Sequence, residues 1–195
     1  MSPLFQKAIQ QFDQANAADP NRDVVDGVEQ PRELVYSQRL MGWVLKLNRD
    51  ASEALLLAAR SQHICRWESP RSDYPMDRAG YLKWRADLKK FHAAKAGSIL
   101  QELGYDEGTI QHVKSLNLKN DFGKDPDVQV LEDALCLMFL QYQFSDLAKK
   151  ATDEKMINAI RKSWGKMSEQ GRAEALKLEF NANEKRLLDL AFQAE

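Results

Sequence analysis

The chain has 195 residues, 44% of them hydrophobic and 29% charged, with a formal net charge of −1. That length suffices for a domain with a full hydrophobic core, and the near-neutral charge excludes a global basic field of the kind that holds nucleic acid or anionic membrane. The longest apolar run, Ala134 to Leu140, is far short of the roughly 20 residues a membrane-spanning helix needs. The opening MSPLFQKAIQQFDQ carries no apolar signal core, so the expected localisation is cytoplasmic with no membrane partner. Cys65 and Cys136 lack CxxC spacing and read as reduced, buried thiols rather than a structural zinc site.

Apolar residues recur every three to four positions almost throughout, which predicts an all-α fold without strands. The first amphipathic helix spans 2–17 and ends at ADPNRD. The second spans 31–47, opening on Pro31 at a favoured first-turn position. The third spans 51–66 after the cap signal of Asp50 and Ser52. WESPRSDYPMDRAG, residues 67–80, has no helical stripe. It is a loop longer than most connections, and its aromatic residues argue for order. A long helix follows from about Ala79 to Leu103, stopped by Gly104. Helix 106–116, a turn at 118–126 and a strongly apolar helix from Val128 to Lys149 come next. Two or three amphipathic helices, separated near Gly165 and Asn181, fill 152–194. A single domain over 1–195 is expected, with its core at about 31–150, an N-terminal helix and a helical extension at 152–194.

Candidate chemistry gathers in 60–133. In AARSQHICRW, continued helix would place Arg60, His63, Arg66 and Trp67 on one face. They would form either a pocket rim or a solvated face around a core histidine. The following loop interleaves Arg66, Arg71, Arg78 and Arg85 with Trp67, Tyr74, Tyr81 and Trp84. Guanidinium forks suit phosphate or carboxylate, and aromatic rings stack on a base; the same residues could equally pin the loop through Arg–Asp pairs. Tyr81, Arg85, Leu88, His92, Ala96 and Ile99 form one stripe of the long helix, pointing His92 inward. Asp133, beside Glu132 in VQVLEDALCLMFLQ, lies in an apolar helix. It must be protonated, paired (with Arg60 or His63, for instance) or bound to a cation. His112 is expected at the periphery. No glycine-rich phosphate loop or nucleophile elbow is present, and KMSEQ at 166–170 lacks the parallel sheet beside which a synthetase loop of that kind works.

The segments LLLAARSQHI, KKFHAAKAGSILQELGY and QVLEDALCL resemble successive helices of the HD-domain superfamily, all-α proteins that often hydrolyse phosphate esters at a divalent metal. The likeness covers about 31–150 and implies an HD-like helical bundle. Gln62-His63 stands where that superfamily has His-Asp, and helix 31–47 supplies no histidine. Carried over position by position, the resemblance implies His63, His92 and Asp133 as catalytic residues and ligands of Mn, Fe, Zn or Mg. The implied activity is a metal-dependent phosphohydrolase acting on a nucleotide or other small phosphate. RSQHICRWESPRSDYPMDRAGYLKWR, FHAAKAGSILQELGY and LEDALCLMFL together resemble, over nearly the whole chain, an uncharacterised family of domains of unknown function. Some of its members are labelled glutamyl-tRNA synthetase without that enzyme's motifs. The decayed His-Asp pair leaves a second reading, a non-catalytic module binding a small phosphorylated or anionic ligand. Its expected contacts are Arg60, Arg66, Trp67, Arg71, Tyr74, Arg78, Tyr81, Trp84 and Arg85. A third reading, association with RNA, is weakened by the net charge.

Overall fold

The computed structural model describes residues 1–120 and 122–193. The described chain is mostly helical, with ten α-helices and only a small two-stranded hairpin. It divides into two compact units, Met1–Val128 and Gln129–Glu195. No described helix is long and apolar enough to cross a membrane.

The first unit begins with α1 (Pro3–Ala17), whose start is fixed by the Ser2 hydroxyl accepting the Phe5 amide and by Pro3 in the first turn. A hairpin follows, β1 (Arg22–Val25) paired antiparallel with β2 (Val28–Pro31). This corrects the strand-free expectation. Asp26 and Gly27, both at positive φ (52° and 80°), make the tight turn that suits two twisted strands. Then come α2 (Arg32–Leu47) and α3 (Glu53–Ser61), the latter capped by Ser52 accepting the Leu55 amide. Helix α3 is central: every residue from Ala54 to Ser61 is buried, and it touches α1, α2, α4 and α5. The loop beyond it holds two short 3₁₀ turns, Arg66–Glu68 and Arg71–Asp73. Helices α4 (Arg78–Glu102) and α5 (Glu107–Leu118) pack together, turned by Gly104 at φ 85°. Asp121, inside the turn expected at 118–126, lies outside the described residues.

Helix α6 (Pro126–Met138) is followed by a π-helical turn, Phe139–Gln143, and by α7 (Phe144–Ala148), so the expected helix to Lys149 is one apolar rod with a widened stretch. The second unit continues with α8 (Asp153–Lys166), α9 (Glu169–Ala175) and α10 (Ala182–Phe192). These are the helices expected in 152–194, of which Ala194 lies outside the described residues. Helix α10 packs on α8 and α7, and a reciprocal cap between Asn181 and Glu184 starts it.

Two helical expectations shift. Helix α3 stops at Ser61 rather than 66 because Cys65 takes a left-handed conformation (φ 51°), its amide donating 3.1 Å to the Asn16 side-chain oxygen of α1. On α4 the buried stripe runs through Trp84, Leu88, His92, Ala96 and Leu100, leaving Tyr81 and Arg85 exposed. His92 points inward as expected.

Candidate functional site

Three elements of the first unit converge on a polar cluster in otherwise apolar surroundings. Helix α2 supplies Glu33 on the same face as Ser37, Leu40, Val44 and Leu47, all buried. Asp19, fully buried, holds that helix start by accepting the Glu33 amide at 3.0 Å and the Asn21 amide at 2.8 Å. The turn after α3 supplies His63 and Arg66, and α4 supplies His92.

His92 sits 3% exposed, its Nδ1 donating to the Ile64 carbonyl at 2.9 Å. A carbonyl only accepts, so Nδ1 carries the proton and Nε2 presents a bare lone pair. That Nε2 is buried without a partner. The His63 ring stacks on Tyr36 (centroids 4.2 Å, planes 12° apart) and lies 5.7 Å from the His92 ring. Arg66 donates from Nη1 to His63 Nε2 at 3.3 Å, which puts the His63 proton on Nδ1, 3.4 Å from Glu33 Oε2. That contact is not a hydrogen bond, and Glu33 Oε2 is also buried without a partner.

Electrostatics follow from the crowding. Burial, partly opposed by Arg66, raises the Glu33 carboxyl to about 7. Burial and the neighbouring His63 hold His92 down to about 3. Burial, then Arg66, Arg85 and Lys119, hold His63 well below the usual imidazole range. At neutral pH both imidazoles are therefore uncharged, and Arg66 is the cation closest to them. Arg66 lies over the Trp84 ring, 5.1 Å from its centroid, and forms no ion pair among the described residues. Trp84 is itself fixed by donating from Nε1 to the Ser69 carbonyl at 2.9 Å.

Other expected ligand contacts have different employment. Arg60 is buried and donates from Nε and Nη2 to the two Asp13 carboxylate oxygens at 2.6 and 2.7 Å. The expected shared face of Arg60, His63, Arg66 and Trp67 is overturned, because the helix that would align them ends at Ser61. His63 and Arg66 still meet, through the turn. Arg71 staples the loop by donating to the carbonyls of Tyr74, Pro75 and Asp77 (3.0, 2.6 and 3.2 Å). The pinned-loop alternative thus describes Arg71, with backbone oxygens in place of carboxylates. Tyr74 donates its hydroxyl to Asp87 at 3.3 Å. Trp67 is half-buried, while Arg78, Tyr81 and Arg85 are exposed. His112 is peripheral, 3.7 Å from an Asp125 oxygen.

Asp133 belongs to the second unit and is satisfied there. Its oxygens accept the Ser168 amide at 2.8 Å, the Ser168 hydroxyl and the Gln129 side-chain amide at 3.0 Å. Gly171 lies against it, where a Cβ would come within 2.7 Å of the Asp133 carboxyl carbon. Neighbouring Glu132 pairs with Lys166 at 2.9 Å. Among the described residues no group of three or more His, Cys, Asp or Glu side chains is placed to hold a metal ion. The set His63, His92 and Asp133 does not fit one here, since the Asp133 oxygens already accept three hydrogen bonds and His63 Nε2 accepts one from Arg66.

Sequence reasoning missed Glu33. Its signal was present: Glu33, Ser37, Leu40, Val44 and Leu47 fall at helical spacing on one face, so a carboxylate stood on the core stripe of α2.

A family model described as "Domain of unknown function (DUF4202)" matches residues 6–188. The chain matches no curated protein and no solved structure. Nothing in these comparisons links it to HD domains.

Proposed function

This chain belongs to the DUF4202 family of domains of unknown function, and from that premise we propose that its first unit binds a small phosphorylated molecule bearing hydroxyl or N–H donors. The site is the cluster of Glu33, Tyr36, His63, Arg66 and His92, with Arg85 as an outer charge. The observation that carries this reading is the pair of buried, unpartnered acceptors, Glu33 Oε2 and His92 Nε2, beside an arginine with no ion pair. A buried acceptor without a donor costs about 1–3 kcal/mol. Ligand hydroxyl or amino groups would recover that free energy, while the guanidinium fork takes phosphate oxygens. Nucleotides and sugar phosphates offer both kinds of group in one molecule.

Hydrolysis of the bound phosphoester is the second reading. Glu33, titrating near neutrality, suits a proton donor to a leaving oxygen. His92 would have to take the proton from water, and a group held near 3 is a weak base. Binding therefore stands first.

The test is thermal unfolding with a panel of nucleoside and sugar phosphates in a chelating buffer. A ligand at 100 times its Kd stabilises by about 2.7 kcal/mol. We expect that gain in the wild type and in Lys162→Gln, an exposed change in the second unit, and its loss in Arg66→Gln. Equal gains in wild type and Arg66→Gln, or none with any phosphate, would sink the reading. Phosphate release from the stabilising compound decides the second one.

A further inference from the structure

The second unit contains a cavity of about 580 Å³. It is half open to solvent, and its volume falls within the roughly 300–1,000 Å³ of small-molecule sites. Its walls are apolar: Ile160 and Trp164, one turn apart on α8, face Phe180 and the α10 residues Leu188 and Phe192. The Trp164 and Phe192 rings meet with centroids 5.0 Å apart. Leu140, another wall residue, lies in the π-helical turn Phe139–Gln143. Such turns weaken the regular helix ladder and recur at functional sites, so a second feature marks the same place.

Two charged residues line the cavity, Lys185 and Asp189, both exposed and one turn apart on α10. Opposite charges at that spacing commonly pair across a helix face. Here they do not pair with each other, and neither forms an ion pair among the described residues. A cation and an anion, side by side and both open, complement a ligand head that carries both signs. We propose that this cavity binds a zwitterionic amphiphile, its alkyl chain against Trp164 and Phe180 and its head group between Lys185 and Asp189. A purely anionic or cationic head would meet one like charge.

Trp164 reports on the site, because the other tryptophans, Trp43, Trp67 and Trp84, lie in the first unit. The probes are decylphosphocholine, decanoate, decyltrimethylammonium and decanol, each below its micellar concentration, titrated against Trp164 emission with Trp164→Phe as the blank. Decylphosphocholine is expected to bind about two- to fivefold tighter than the others, the range that exposed ion pairs supply. Lys185→Glu should move the preference towards the cationic probe, and Asp189→Lys towards the anionic one. Both sites are exposed, so the fold is kept. No saturable change with any probe overturns the cavity as a ligand site. Decanol binding as tightly as decylphosphocholine, or charge swaps that leave the preference unmoved, overturns the zwitterionic head.

Discussion

Two of the buried carboxylates, Asp133 and Glu33, are held in opposite ways. Asp133, 3% exposed, accepts from the amide and hydroxyl of Ser168 and from Gln129. Glu33, 7% exposed, leaves Oε2 with no donor, and its carboxyl is pushed up to about 7. The first is a structural brace: it holds the start of α9, whose cap is the same Ser168. The second has neighbours (His63, His92 and Arg66) that do not satisfy it. Burial alone does not mark a functional acid; what distinguishes the two is whether the surrounding chain completes their hydrogen bonds.

The Asp133 brace is the larger of the two effects. Asp133→Ala would strand the Ser168 amide and hydroxyl, and equilibrium urea unfolding should show a loss of about 4 kcal/mol, since each buried donor left unpaired costs about 1–3 kcal/mol. If the loss were under about 1 kcal/mol, as for an exposed substitution, Asp133 would not be the brace described.

Glu33→Gln should act in the reverse sense, and only where Glu33 is charged. A carboxyl raised from 4.5 to about 7 binds more protons in the folded than in the unfolded chain, so its folded-state cost grows as pH rises from 4.5 to 7. The variant should match wild type below pH 4.5 and exceed it by about 3 kcal/mol at pH 8, since each tenfold change in proton affinity is worth roughly 1.4 kcal/mol. His92 works against this slope: lowered from 6.5 to about 3, it gives stability present above 6.5 and lost as pH falls towards 3. In wild type the two trends oppose each other between 4.5 and 6.5. In Glu33→Gln the rise due to His92, joined by His63, which is also held below the usual imidazole range, should emerge uncovered in urea unfolding across that window. Parallel curves for the two proteins would mean that Glu33 keeps an ordinary carboxyl.

Gly171→Ala tests the brace from its other side. The added Cβ would meet the Asp133 carboxyl carbon at 2.7 Å, and the carboxylate cannot retreat without releasing Ser168. About 2 kcal/mol of destabilisation is expected, within the range for overpacking. In an Asp133→Ala background the penalty should largely vanish, which a double-mutant cycle measures.

Local signals carried most of the secondary structure. Ser2, Ser52 and Asp106 start α1, α3 and α5 by accepting amides three residues on, and Gly104 ends the α4 region; all are readable from neighbours in sequence. The hairpin was legible too, since Asp26-Gly27 between valines is a strong turn signal, but the helical period on either side masked it. The site was legible only in part. His63 and His92 are brought together, yet the turn presenting His63 is set by Asn16, 49 positions before Cys65 in sequence. Arg60 is taken by Asp13, 47 residues away, and Asp133 by Ser168, 35 residues on. Caps are local and follow from spacing; the pairing of buried charges is decided by chain segments that spacing does not connect.

The smallest expected effect separates the buried cluster from the turn that carries Arg66. Lys95 pairs with Glu68 at 2.6 Å, both side chains partly exposed, and so ties the 3₁₀ turn Arg66–Glu68 to α4 from outside. Lys95→Met should cost about 0.5 kcal/mol, as exposed pairs do, and less in high salt. If recognition lies in the buried atoms, stabilisation by the best phosphate ligand should survive this change while Arg66→Gln abolishes it. Should Lys95→Met abolish it as completely, the outer turn would be the recognition element, and the open acceptors of Glu33 and His92 would be a cost borne for some other purpose.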